Sequence, residues 1–542
     1  MKKRILSCFM ALALCLTLLP TAALAADAEQ AADGTNHPNH TDATKLWMDG
    51  NTLKKGDNPW TAEPIEVWGS GDKDKETAYA LTKGTYYLDS NLDFTACNTK
   101  YAIMIVGNVT LCLNGHEIKN STSGNECVIA VYANDASTLT LTNCVGTGKI
   151  TGGNNEGVDV RKGYTLNMYG GTITGGVDMS GNTTGSPTKF NMSGGTITGG
   201  GTGVRLTEFC TFTMSGGTIS NNKGGVSTGG GTFTMSGGEI SGNTATSNGG
   251  GVNIGNGGTF IMNGGAISGN TAAYAGGGVY VSGGTFTMNG GEIKSNTANT
   301  AGGGVFVDNG TFTVSGEPIV SENTSGSEGN KVTDNVYLPV SKTITIDSGL
   351  TNGTDIGVTT GSAMAPTEDS TIAIATATEN AHGYRSYFKS DNDSYEIVKN
   401  QEDTQLELKA KPRIDLTNSA EIKITSPSAD LVYTGSPITV AYEVKYNNMP
   451  LKPGEDYTVT SGGSGTDAKE YTLTIEGKGK YTGSVEKKWT ITPLIVNVSS
   501  VTLNDKVYDG TTAGSSSDVT SVMFKRGSSD SDIVTLQKED YT

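Results

Sequence analysis

Between residues 284 and 307 the chain reads GTFTMNGGEIKSNTANTAGGGVFV, and its apolar positions follow a fixed order. Phe286 and Met288 alternate with Thr285 and Thr287, Ile293 follows a Gly-Gly corner, and Val305 and Val307 flank Phe306. Alternation with a period of two sends one set of side chains inward and the other outward, so each run predicts a short, half-buried strand. No segment carries a 3.6-residue stripe, which predicts that helices are minor. Nearly the same ten letters occur as GTFTMSGGEI at 231–240 and GTFIMNGGAI at 258–267.

Anchoring each copy on the first apolar residue of the pattern apolar-x-apolar-x-(Gly)-Gly-x-Ile gives Leu111, Leu139, Leu166, Phe190, Phe212, Phe233, Phe260, Phe286, Phe312 and Ile344. The spacings are 28, 27, 24, 22, 21, 27, 26, 26 and 32 residues. Periods of this size with three strands per turn predict an all-β protein, a right-handed parallel β-helix of about ten coils over 86–350. Each strand then pairs with its equivalent one coil away, at about 4.8 Å. One coil buries too little apolar surface to offset the ordering of its own residues, so the coils fold only as a stack. The same phase puts Asn222, Asn243, Asn270 and Asn296 three residues after successive corner isoleucines, where stacked amides can form a structural ladder. It also turns Cys210 inward.

The flanks differ from the coils. Residues 26–85, with Trp47, Trp60 and Trp68, are expected to form a disordered linker and an N-terminal cap, and 351–412 the closing coils and a C-terminal cap. From 413 to 493 short alternating strands are spaced by Gly, Pro and Asn turns, the pattern of a small Ig-like β-sandwich. VYTG at 432–435 is echoed by VYDG at 507–510. Residues 494–542 therefore read as the start of a second, incomplete Ig-like repeat, with any cell-wall anchor expected in a missing region further on.

Residues 1–25, MKKRILSCFMALALCLTLLPTAALA, place Lys2, Lys3 and Arg4 before an apolar run that ends on Ala23-Leu24-Ala25. This predicts a bacterial signal peptide. No later run approaches the roughly 18 apolar residues of a spanning helix, so the mature chain is expected to be exported without a transmembrane segment. The formal charge is −17 and becomes three units more negative once the leader is removed, which argues against nucleic acid as a partner. After cleavage five cysteines remain, Cys97, Cys112, Cys127, Cys144 and Cys210. A disulfide among the first four is possible, with the pairing left open. His37 and His40 are expected in a mobile tail, and no metal site or cofactor is expected.

The outward residues of the third strand, coil by coil, are Met104, Ala130, Asp159, Asp178, Arg205, Ser227, Asn253, Tyr280, Phe306 and Tyr337. Two stretches of this column carry chemistry. Asp159, Asp178 and Arg205 occupy consecutive rungs and read either as a solvated acid pair neutralised by the arginine or as the core of a catalytic site. The first reading is favoured, because no third acid is apparent on neighbouring faces and the coils hold no histidine after His116. Tyr280, Phe306 and Tyr337 form an aromatic column that either lies under the C-terminal cap or a loop, or binds a glycan or protein partner. The Thr-x-Thr pairs of the first strand make a hydroxyl grid that a solvated β-face alone explains.

The GGTFTMSGGEISGNTA and GGGVYV coils resemble those of exported pectin-lyase-like β-helix proteins of Gram-positive gut bacteria, and their Gly-Gly-apolar and x-x-Asn repeats are similar to those of chlamydial polymorphic outer-membrane proteins. The region from 413 onward is similar to the MBG and YDG families of Ig-like repeats in large bacterial surface proteins. The resemblance implies a superfamily of lyases, hydrolases, tailspikes and adhesins. In its lyases a carboxylate cluster holds Ca²⁺ and a nearby Arg or Lys removes a proton, which Asp159, Asp178 and Arg205 partly match. The preferred expectation is a non-enzymatic, secreted cell-surface stalk or adhesin that binds glycans or host-surface and extracellular proteins. The alternative is a polysaccharide lyase or glycoside hydrolase acting on uronate polymers, and Ca²⁺ enters only with it.

Overall fold

The computed structural model describes residues 40, 42–68, 73–97, 99, 101–120, 127–131, 137–152, 156–181, 186–255, 257–361, 364–367, 369–378, 380–503, 519–526 and 533–534. The expected leader at 1–25 and His37 lie outside them. The chain divides into two compact units, Met1–Ala410 and Lys411–Thr542.

The first unit is a right-handed parallel β-helix of about ten coils. Leu139, Leu166, Phe190, Phe212, Phe233, Phe260, Phe286, Phe312 and Ile344 are register partners from rung to rung. From Phe190 to Phe312 the rings form one buried interior file, with centroids 4.7–4.9 Å apart and planes within 11°. That distance is the spacing of paired strands, so equal side chains on equal rungs stack without adjustment. Met168, Met192, Met214, Met235, Met262 and Met288 make a second buried file beside it.

The methionines explain the Gly-Gly corner. At Gly217, Gly238, Gly265 and Gly291 the φ angle is +84 to +87°, and a Cβ there would lie 2.6–2.7 Å from the methionine Cε of the preceding coil. Only glycine meets both demands, a left-handed backbone and an empty volume for the thioether methyl. The repeated M-x-G-G is therefore a packing unit spread over two coils.

Two details differ from the spacing argument. In the first coil Leu139 pairs with Val109, and Leu111 pairs with Leu141, so the anchor at Leu111 is two residues out of step. A shift of two preserves the inward face, which is why apolar pattern alone does not detect it. Secondly, the coils are not all three-stranded. Thr244–Ala245, Thr271–Ala272, Thr297–Ala298, Thr324–Ser325 and Val332–Thr333 form a separate five-stranded sheet, in coils with a spacing of 26 residues or more. The coils that begin at Phe190 and Phe212, with spacings of 22 and 21, have no strand at that place.

At the N-terminal end the parallel stacking continues upstream of residue 86. Thr44–Leu46 pairs with Tyr86–Leu88, and Tyr79–Leu81 pairs with Ile103–Ile105. Leu46, Leu53 and Trp60 are buried in the same core as the coils, with Trp60 edge-on to Tyr79 and Phe94. Trp47 is half-buried, its Nε1 donating to the Gly56 carbonyl at 3.1 Å, while the side chain of Trp68 lies outside the described residues. At the other end Thr371–Ala377, Tyr395–Lys399 and Gln405–Ala410 pair antiparallel and place Ile397, Leu406 and Leu408 over the last coils.

In the second unit two three-stranded antiparallel sheets form around Ile422, Val444, Leu473, Ile475 and Trp489. One holds Ala420–Ile424, Tyr442–Tyr446 and Met449–Pro450, the other Tyr457–Ser461, Glu470–Gly477 and Ser484–Thr490. These small sheets fit an Ig-like domain. Val496–Leu503, Val519–Arg526 and Ile533–Val534 make a further antiparallel sheet.

Candidate functional site

The third-strand ladder aligns Met104, Ala130, Asp159, Asp178, Arg205, Ser227, Asn253, Tyr280, Phe306 and Tyr337 as direct register partners. All point away from the interior files, but the first of them do not meet water. Met104 and Ala130 are buried with Ala78, Tyr101 and Cys127 in a small cluster outside the main core, against which Ile65 and Tyr164 pack.

Asp159 is fully buried and is gripped by Arg161, with Nε to Oδ1 at 3.0 Å and Nη2 to Oδ2 at 2.5 Å. Arg205 holds Asp178 in the same two-pronged way, with Nε to Oδ1 at 2.7 Å and Nη2 to Oδ2 at 2.8 Å. Its Nη2 also reaches Glu156 Oε1 at 3.3 Å. These contacts correct the sequence reading on two counts. The acid pair is not solvated, and a third carboxylate, Glu156, does join it. Glu156 sits just before the strand Val158–Arg161, outside the alternation from which the outward column was drawn, and Arg161 ends that strand.

Burial pushes the Glu156 carboxyl up to about 7, helped by the nearby charges of Asp178 and Asp159 and opposed by Arg205 and Arg161. Glu156, Asp178, Thr202, Arg205 and Lys223 line a groove of about 350 Å³. The groove thus combines a carboxyl raised to near neutrality with a guanidinium already paired to Asp178 and Glu156 and with the Lys223 ammonium. It does not fit Ca²⁺, which takes 6–8 oxygen ligands. Both aspartates are already engaged, two-pronged, by guanidinium groups.

Further along the same column Tyr280, Phe306 and Tyr337 are each half-buried. Tyr280 and Phe306 stack with centroids 5.6 Å apart at 28°, and Phe306 and Tyr337 with centroids 5.1 Å apart at 10°. The Tyr280 hydroxyl donates to Asp308 Oδ2 at 2.9 Å, and burial together with that carboxylate pushes its pKa up to about 12. Because the rings cover each other's faces, the column offers solvent mainly ring edges and hydroxyl groups. The backbone turns beside it are close: a Cβ on Gly276 would lie 2.7 Å from the Tyr280 Cβ, and one on Gly302 2.7 Å from the Phe306 Cβ. On the turn before Gly276, Tyr274 is 58% exposed and keeps its ring open to solvent. Its turn position lies outside the strand alternation, so the outward column did not include it.

Asn222, Asn243, Asn270 and Asn296 are buried and joined into one chain of amides. Each Nδ2 donates to the Oδ1 of the next asparagine at 2.9–3.0 Å, and each backbone N–H donates to the same oxygen at 2.9–3.0 Å. The chain continues through Asn323 and Asn335 and ends on the Asp391 carboxylate, which accepts from Asn335 at 2.6 and 2.7 Å. Cys210 is buried, and burial pushes its thiol pKa up. His40, expected in a mobile tail, instead stacks on Tyr87 with centroids 4.3 Å apart, and its Nε2 lies 3.5 Å from Cys144 Sγ.

No protein-family model, curated protein or solved structure matches the chain. What fold and column define is a class: an all-β parallel solenoid of about ten coils, followed by small antiparallel sheets that fit Ig-like domains. No helix among the described residues is long and apolar enough to cross a membrane.

Proposed function

We propose that this chain is a non-enzymatic bacterial surface protein of the pectin-lyase-like β-helix type, exported through the leader at 1–25, in which the solenoid is a stiff stalk and MBG/YDG-type Ig-like repeats act as spacers toward the cell wall. The stalk presents an adhesive face to glycans or to host-surface and extracellular proteins. The observation that supports this reading is the unbroken register of the interior files. One inward pattern repeated from Phe190 to Phe312 builds length, while the outward column is free to vary. The adhesive face runs along Tyr280, Phe306 and Tyr337. Its stacked rings supply edges and hydroxyl groups, and the open ring of Tyr274 supplies a face on which a sugar can lie. The test is binding to a glycan array and to mucin. Replacing Tyr280, Phe306 and Tyr337 together with alanine should abolish binding, and unchanged binding would remove the basis of the assignment.

A second reading rests on Glu156. A carboxyl poised near neutrality beside the Asp178–Arg205 pair is what a lyase or glycoside hydrolase acting on uronate polymers would use to move a proton. Release of unsaturated or reducing ends from such polymers, lost in Glu156→Gln and Asp178→Asn, would establish it. A panel of polysaccharides left intact by the purified chain would retire it.

A further inference from the structure

Cys112 ends the strand Tyr101–Cys112, and its register partner on the next coil is Thr142, two residues before Cys144. The turn that follows is tied down on both sides. The Leu113 N–H donates to the Thr142 carbonyl at 2.9 Å, while the Asn143 side chain accepts from Gly115 N–H at 2.8 Å and donates to the Gly146 carbonyl at 2.9 Å. These bonds turn Cys144 back over Cys112, and the two sulfurs lie 2.8 Å apart. Unbonded heavy atoms of carbon size settle at about 3.5–4.0 Å, so this separation lies well inside ordinary contact, on the way to a bond of about 2.05 Å. Two thiolates held by one zinc ion at about 2.3 Å each would stand further apart than this.

The other cysteines have different neighbours. Cys97 Sγ is 3.6 Å from the Tyr79 hydroxyl, Cys127 donates to the Ile129 carbonyl, and Cys210 Sγ is 3.9 Å from Thr207 Oγ1. We infer that Cys112 and Cys144 are a disulfide pair, a covalent staple between adjacent coils at the N-terminal end of the solenoid, formed by thiol–disulfide exchange with a small-molecule disulfide or a disulfide-bearing oxidoreductase. Cys144 is the half-buried thiol of the two and the one an oxidant reaches; burial and the Cys112 contact push its pKa up to about 12, so it attacks once a base has taken its proton. Its thiolate displaces one thiol from the oxidant to give a mixed disulfide, and Cys112 then displaces the second. The protein loses two protons and two electrons, and the oxidant is reduced to two thiols. His40 Nε2, held over Tyr87, is placed to take the Cys144 proton.

The test is peptide mapping of the full chain, purified under reducing conditions and then treated with oxidised glutathione. The expected result is a loss of two titratable thiols and a non-reduced digest in which the peptides carrying Cys112 and Cys144 migrate as one species. His40→Ala should reach the same end point several-fold more slowly. Coupling of either cysteine to a different partner, or no coupling at all, would overturn the assignment. So would a reduced chain that binds one zinc ion through His40, Cys112 and Cys144 and resists glutathione until a chelator is added.

Discussion

Two stretches of one outward column, three rungs apart at their nearest ends, are built on the same backbone and do opposite things. Around Asp159, Asp178 and Arg205 the column is charged and sunk into a groove, whereas from Tyr280 to Tyr337 it is aromatic and self-stacked. Beneath both, the interior differs only by exchanges such as Leu166 for Phe190 and Met288 for Val314. The difference teaches that the inward positions carry the fold and are nearly invariant, while the outward positions are released from it and can hold chemistry.

The first way to break this comparison is to strike the interior under the aromatic stretch. Phe260→Ala leaves a ring-sized gap in the file and should cost about 4 kcal/mol, read as a shift in urea denaturation of the solenoid. Asn270→Ala should cost about 3 kcal/mol by the same measurement, because the Asn243 N–H then loses its acceptor inside the core and the Asn243 Nδ2 loses one of its three. An outward change should be far milder. Phe306→Ala is expected to cost about 1 kcal/mol, since it removes two stacking contacts from a half-buried position.

The charged stretch is sharpened by pH. A carboxyl raised in the folded state is favourable to folding while protonated, so the contribution of Glu156 is present below its ordinary value of 4.5 and is lost as pH rises toward about 7. Stability should therefore fall across that window. Asp334, raised to about 6 chiefly by burial, adds a loss of the same sign over a lower range. Glu156→Gln should flatten the upper part of the slope by about 1–2 kcal/mol, read as denaturation midpoints at pH 5 and pH 8. A variant with the unaltered slope would move the titration to another group.

The solenoid was legible because its information lies in periodicity. Phe233, Phe260 and Phe286 share a phase that a count along the chain recovers, and a β-rung converts phase directly into stacking. Features fixed by turns were not legible. Glu156 stands before its strand and Tyr274 sits on a loop, so neither has a phase to read. Asn323 follows Val320 where the earlier asparagines follow isoleucine, and Asn335 enters the ladder from a loop only 12 residues on. Asp391, which terminates that ladder, arrives from 56 residues away. The two-residue slip between Leu111 and Leu139 escaped for the complementary reason, that it leaves every inward residue inward. His40 reaches Cys144 across 104 residues, a contact that no local pattern encodes.

The claim beneath all of this is in-register stacking, and distances along one outward column measure it most directly. Ser227, Phe306, Tyr337 and Thr359 lie on one ladder, with Phe306 three rungs from Ser227, Tyr337 four and Thr359 five. Nitroxide pairs joining Ser227 to each of the other three, in a background whose native cysteines are replaced by alanine, should give pulsed-EPR distances that rise by about 5 Å per rung, near 14, 19 and 24 Å. Distances that fail to rise in that order, or that scatter without a common step, would contradict it.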